Sequence, residues 1–186
     1  VERFVDRMET AGIDVLAIDR HPAPHAEGSS HGLTRLFRAA CLEHPGLTPL
    51  ALHSAELYRE LERVSGEQLL DQCGGLTIGP ELGTSVPGVL RAAEAGGLPV
   101  EVLEPGALRE RFPFHGRIAD DDLGVFDPMS GVLRIETAVG AALRTARSLG
   151  AKVRSGITVR EISGIPGGHR VETDRGVFRA PRVIAA

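Results

Sequence analysis

Neither a C-x-x-C pair nor a G-x-G-x-x-G turn occurs anywhere in these 186 residues, and each absence narrows what the chain can be. Cysteine is scarce: Cys41 and Cys73 stand alone and far apart, so neither a disulfide scaffold nor a cysteine zinc site is indicated, and the composition fits a reducing cytoplasm. Excess positive charge is also lacking. The 21 Lys and Arg are outnumbered by 25 Asp and Glu, for a net charge of -4, and no basic block accumulates. That gives no electrostatic reason to expect nucleic acid or an anionic membrane as partner, and it favours small-molecule chemistry. No apolar run approaches the ~18 residues of a membrane span, and the opening Val-Glu-Arg-Phe-Val-Asp-Arg is too charged for a secretory signal. What remains is an ordinary globular composition, 42% hydrophobic and 25% charged, enough for one good core or two small ones.

The most informative stretch present is Ile13-Asp14-Val15-Leu16-Ala17-Ile18-Asp19-Arg20, an apolar, β-branched run that ends on an acid and drops into a Pro/His/Gly loop. Such a run suits a strand covered on both faces. An acid at its C-terminal tip is where dinucleotide-binding folds place the group that holds a ribose hydroxyl, which makes Asp19 the first candidate. In those folds a strand and a glycine turn lie roughly 20 residues upstream. Val1 to Ala11 has room only for the intervening helix, with Val1, Phe4, Val5 and Met8 on one stripe and Gly12 as its stop, so the first strand and glycine loop are expected to be missing.

Further along, His21 to Gly32 reads as a long loop, and long loops usually carry function. A helix is expected over residues 47 to 64, with Leu47, Leu50, Leu57, Leu61 and Val64 on one stripe and Gly66 ending it. Next come a strand over 73 to 80, a helix over 85 to 95, a strand over 100 to 103 and a helix over 105 to 112. Two short strands flank the turn Asp127-Pro128-Met129-Ser130-Gly131, so this middle third reads as a mostly antiparallel insert. A helix over 135 to 149, stopped by Gly150, precedes a strand at 151 to 154 and an alternating pair, 158 to 162 and 169 to 173, joined by glycines. Arg182-Val183-Ile184-Ala185-Ala186 is expected as a further buried strand, and no internal repeat is present.

The segment Gly28-Ser29-Ser30-His31-Gly32-Leu33-Thr34-Arg35-Leu36-Phe37-Arg38 resembles the G-S-x-H-G-x-T-R-x-x-R loop of the monomeric sarcosine oxidase and N-methyltryptophan oxidase family, FAD enzymes of the D-amino-acid oxidase superfamily. Residues 13 to 19, Gly75 to Pro80, Asp127 to Leu133 and Gly150 to Val153 match in the same order, so the likeness runs from about residue 12 to the end. It implies an α/β fold: a partial FAD-binding Rossmann-like (βαβ) domain over 1–69 and 135–186, with an inserted α+β, mostly antiparallel partial substrate domain over 70–134. It implies FAD as cofactor, with Asp19 on the adenosine ribose, Val159 near the adenine, and Ser29, Ser30, His31, Gly32 and Thr34 lining the flavin or its pyrophosphate. Arg35 would lie close to the isoalloxazine ring and Arg38 would pair the carboxylate of an amino-acid substrate. A reduced, negatively charged flavin and an anionic substrate both need fixed cations, and guanidinium is a planar, always-charged fork. The chain departs from the family in three ways. The phosphate-binding glycine loop is missing, and the half that carries the covalent flavin cysteine and the substrate-facing lysine, tyrosine and histidine is not included. Charged residues occupy the first helix and Leu33 replaces a common acid.

Each candidate has a plainer alternative. Asp19 could cap a turn, and Arg35 and Arg38 could form solvated ion pairs with Glu27 or Glu43. His21, His25 and His31 fall within eleven residues but match no zinc spacing, so no metal is expected. Asp120-Asp121-Asp122 reads as a solvated turn, Cys41 and Cys73 as inert thiols, and His115 and His169 as surface residues. The expected function is part of an FAD-dependent oxidoreductase of a secondary N-methyl amino acid, passing hydride to flavin with dioxygen as acceptor. The alternatives are a truncated non-catalytic relic or binding module, and an FAD-dependent D-amino-acid or glycine oxidase or dehydrogenase.

Overall fold

The computed structural model describes residues 14–185, so the helix expected over 1 to 11 lies outside the described residues. Two compact units form: one takes the described residues up to Gly32 together with those from Val139 on, the other Leu33–Ala138.

In the first unit, β1 (Leu16–Ile18) pairs in parallel with β8 (Lys152–Arg154), with Ala17 opposite Val153. The ladder continues past both ends: the Lys152 N–H donates to the Val15 carbonyl at 2.9 Å and the Asp19 N–H to the Arg154 carbonyl at 3.0 Å. A parallel pair requires a long crossover, as expected of half a βαβ unit. The expectation that β1 is covered on both faces is not met among the described residues. The strand has a single ladder partner there, and Leu16 stays 38% exposed. The sequence from 159 onward makes an antiparallel meander of β9 (Val159–Ile165), β10 (Gly168–Thr173) and β11 (Gly176–Ala180). The third of these strands was not anticipated. Conversely, Arg182 to Ala185 is not a strand: no ladder partner reaches it among the described residues, and Ile184 is 80% exposed. An apolar run becomes a buried strand only when neighbours pair with its edges.

The second unit holds two three-stranded sheets in which every pairing is antiparallel. β2 (Arg35–Phe37), β7 (Gly131–Leu133) and β3 (Leu70–Asp71) form one, with β7 in the middle. β4 (Gly75–Pro80), β6 (Asp122–Asp127) and β5 (Glu101–Leu103) form the other, with β6 in the middle. The two strands flanking the 127–131 turn are present as expected but diverge into different sheets. Gly131 permits this: a Cβ there would collide with the Asp71 carbonyl, so only glycine lets β7 lie against β3.

Three helices surround these sheets: α1 (Thr48–Ser65), α2 (Ser85–Gly96) and α3 (Pro105–Arg111). Along α2, Val86, Val89 and Ala93 recur at helical spacing and are buried, packing with Ala40 and Val125 into one core. Each buried valine contributes roughly 1.5–3 kcal/mol relative to exposure. α4 (Ile135–Ser148) leaves this unit and enters the first, burying Ala138, Ala141 and Thr145 along one stripe. The fold is mixed α/β with predominantly antiparallel sheets.

Candidate functional site

Asp19 sits directly after β1, at its C-terminal tip, with its side chain 46% exposed. Its Oδ1 accepts the His21 N–H at 2.8 Å and its Oδ2 lies 3.4 Å from the His25 Nε2. The His21 N–H holds the carboxyl below the usual carboxylate range; slight burial opposes this and the His25 imidazole adds to it. Asp19 is therefore ionised near neutrality. A carboxylate offers about four acceptor positions, so two partners leave room for a ribose hydroxyl. The Asp19 carbonyl accepts the Ile157 N–H at 3.1 Å, two residues before Val159. Val159, 41% exposed, opens β9 opposite Thr173, beside a bulge. The structure thus brings the candidate ribose ligand and the strand bearing the candidate adenine contact together in one unit.

The loop that follows is polar and exposed. Ser29 and Ser30 lie at its surface, and the His31 ring Nδ1 bonds the Gly28 carbonyl at 2.5 Å. Gly32 has φ of +86°, a left-handed conformation that side chains resist, which gives the second glycine of the motif a physical cause. These residues belong to the first unit; Thr34, Arg35 and Arg38 belong to the second.

Arg35 opens β2 opposite Leu133, and its Nη1 donates to the Thr34 carbonyl at 2.9 Å. Arg38 follows the strand. Its Nη2 donates to Glu43 Oε1 at 2.5 Å, and both side chains remain accessible at 35% and 51%. That bond holds the Glu43 carboxyl below its usual range. Immediately after Arg38 the backbone meets a buried polar turn. The Ala39 N–H donates to Ser130 Oγ and the Ala40 N–H to Asp127 Oδ2, each at 3.0 Å.

Sequence reading missed two roles. His21 and His25 were weighed as metal ligands, yet they hold the Asp19 carboxylate, and the acid two and six residues upstream was the available signal. Asp127 and Ser130, expected only as part of a turn between two strands, are just 3% exposed and bond the backbone after Arg38. Among the described residues no group of three or more His, Cys, Asp or Glu is arranged to hold a metal. Asp120 pairs with Arg109 at 2.6 Å, and Asp122 Oδ2 accepts the Ala119 N–H at 2.8 Å. Burial pushes the Cys41 thiol up, away from the reactive thiolate. No helix among the described residues is long and apolar enough to cross a membrane.

A parallel strand pair ending on an ionised carboxylate, beside a glycine- and serine-rich loop, is the arrangement that α/β nucleotide-binding folds use. The chain belongs to the family described as DAO, FAD dependent oxidoreductase, which it matches over residues 7–186. It is 35% identical over 174 residues to the N-methyl-L-tryptophan oxidase of Yersinia pestis (strain Pestoides F), covering 94% of this chain and 47% of that protein. The enzyme of the same name from Yersinia pseudotuberculosis (strain YPIII) gives the same figures, 35%, 94% and 47%. Among solved structures, the open form of NikD, an unusual amino acid oxidase essential for nikkomycin biosynthesis, superposes with a TM-score of 0.82 at 26% identity, over 97% of this chain and 46% of that one. Glycine oxidase from Geobacillus kaustophilus, with a TM-score of 0.74 at 22% identity over 97% and 50%, shares the fold. The chain spans about half the length of the curated relatives it matches.

Proposed function

We propose that this chain contributes to an FAD-dependent amine oxidase acting on a secondary N-methyl amino acid, with dioxygen as the final acceptor. When bound, FAD supplies a two-electron acceptor for the hydride leaving the carbon beside the amine nitrogen. The residues present fit its adenosine end. The ionised Asp19 carboxylate at the tip of β1 accepts from the ribose hydroxyls, and Val159 packs near the adenine. Ser29, Ser30, His31, Gly32 and Thr34 offer hydroxyl, imidazole and backbone groups to the pyrophosphate and flavin. Arg35 supplies positive charge near the isoalloxazine.

Arg38 carries the reading. Its guanidinium is exposed and already holds a carboxylate, that of Glu43, at 2.5 Å. A guanidinium has five donors in a planar fork, so that contact does not exhaust it, and an amino-acid carboxylate is the ligand that geometry suits. Holding the carboxylate fixes the reacting carbon relative to the cofactor and reduces the entropy cost of reaching the transition state. The N-methyl-L-tryptophan oxidases of Yersinia support N-methyl amino acids as the substrate class.

The test is anaerobic mixing of the flavin-loaded full-length protein with sarcosine and with N-methyl-L-tryptophan. Bleaching of the visible flavin band, followed by recovery and hydrogen peroxide release on admitting air, is expected. A protein that stays colourless after FAD is added overturns the reading. Bleaching by glycine or D-amino acids alone points instead to a D-amino-acid or glycine oxidase.

A further inference from the structure

We propose that Asp127 and Ser130 are positioning residues that set the aim of Arg38, deepening the carboxylate-binding reading given above and resting on it. β2 pairs with β7 in the register Arg35 to Leu133, Leu36 to Val132 and Phe37 to Gly131. The backbone ladder stops there, one residue before Arg38. Beyond Arg38 the next two N–H groups are taken by side chains: Ala39 donates to Ser130 Oγ and Ala40 to Asp127 Oδ2, both at 3.0 Å. Arg38 is therefore bracketed, with a strand pair fixing the residue before it and two side-chain acceptors fixing the two after.

The Ala39 N–H shares its peptide plane with the Arg38 carbonyl, so the Ser130 bond constrains Arg38 ψ directly. Ser130 is itself held, because its hydroxyl donates to Asp127 Oδ2 at 2.5 Å. Asp127 Oδ1 accepts the Met129 N–H at 2.9 Å, closing the turn on itself. From the far side the Gly74 N–H donates to the Ser130 carbonyl at 3.0 Å and Gln72 Nε2 to the Met129 carbonyl at 2.8 Å. The turn is thus anchored to the sheet independently of what it grips. Both side chains are 3% exposed, and Ala39 and Ala40 are 0% and 3% exposed, so water cannot replace these acceptors. A buried carboxylate facing main-chain N–H groups, rather than a cation, is an arrangement that specifies backbone geometry.

A residue that orients substrate must hold within roughly 0.5 Å and 10–20°, and a displacement of about 1 Å can cost up to about a hundredfold. Arg38 lies on a short segment after a three-residue strand, and the clamp supplies the rigidity that the strand alone does not.

The experiment uses the flavin-loaded full-length protein, with acetate as carboxylate probe read by its perturbation of the visible flavin band, and with sarcosine turnover. Ser130→Ala is expected to raise the acetate Kd by about tenfold and to lower sarcosine kcat/KM by about tenfold or more, while flavin content stays close to the parent. Arg38→Ala is expected to weaken acetate binding further, and adding Ser130→Ala to it is expected to change nothing more. Asp127→Asn, which keeps the shape and one acceptor, should behave like Ser130→Ala. An unchanged acetate Kd in both clamp variants overturns the proposal, as does a further rise when Ser130→Ala is added to Arg38→Ala. If Arg38→Ala alone leaves acetate binding intact, the carboxylate role of Arg38 fails first and the clamp with it. That outcome is separate because Asp127 and Ser130 are then untouched.

Discussion

Asp19 titrates below the ordinary carboxylate range because its ionised form is bonded to the His21 N–H and the His25 ring. A depressed native value means that its stabilising contribution is present above the unfolded value of about 3.9 and is lost as pH falls through the native one. Asp19→Asn should therefore lower stability slightly at neutral pH, with the deficit closing as pH falls through the acid range, measured by thermal melts across the acid-to-neutral range. The same substitution removes the charge proposed to grip the ribose. FAD affinity, measured by quenching of flavin fluorescence, should fall by about tenfold or more, as expected for a charged hydrogen bond of about 1.5–3 kcal/mol. Glu43 invites a test in the opposite direction. The pair is solvent-exposed and therefore weak, so Glu43→Gln should lower the KM for an anionic substrate only about twofold. A rise in KM instead would assign Glu43 to substrate binding rather than to competition for Arg38.

At the scale of elements, the legible and the illegible divide by sequence separation. β1, α1 and α2 could be read because their signals are local: an apolar run ending on an acid, and stripes at helical spacing. β2 could not, since Arg35-Leu36-Phe37 becomes a strand only through β7, almost a hundred residues later. The clamp was hidden for the same reason. Asp127 and Ser130 have the composition of a solvent turn, and nothing local reveals that their acceptors serve Ala39 and Ala40, 91 and 87 positions away. The join between α1 and β3 was equally invisible. There Glu62 Oε1 accepts the Leu69 and Leu70 N–H groups at 2.7 and 2.9 Å, while Arg59 Nη1 reaches Glu62 at 2.9 Å and the Leu70 carbonyl at 2.6 Å. Burial pushes the Glu62 carboxyl up, but the Leu70 N–H, Arg59 and the Leu69 N–H together bring it below its usual value. Its contribution is thus present above about pH 4.3 and fades as pH falls through the native value. Glu62→Ala strands two N–H groups in a half-buried site and should cost about 2–3 kcal/mol, read as a lower urea midpoint at pH 7. The deficit should narrow at pH 3, where the parent carboxylate is itself protonated.

The chain divides into units that carry different parts of the proposed chemistry. One holds Asp19, the 28–32 loop and Val159; the other holds Thr34, Arg35, Arg38 and the clamp. Family membership fixes FAD as the group to test in both. A ligand that binds only the folded state stabilises by mass action, about 2.7 kcal/mol at a hundred times its Kd. In the full-length protein that stabilisation should appear as slowed amide exchange, and each unit has its own reporters. In the first they are the Asp19 and Ile157 N–H groups, bonded to Arg154 and Asp19. In the second they are Ala39 and Ala40, bonded to Ser130 and Asp127. Saturating FAD is expected to protect both sets. Protection confined to Asp19 and Ile157 would leave the adenosine assignment standing and remove Arg35 from the flavin, whereas protection confined to Ala39 and Ala40 would remove Asp19 from the ribose. Adding acetate on top of FAD should deepen protection at Ala39 and Ala40 alone, because a carboxylate docked on Arg38 stiffens the segment that the clamp holds.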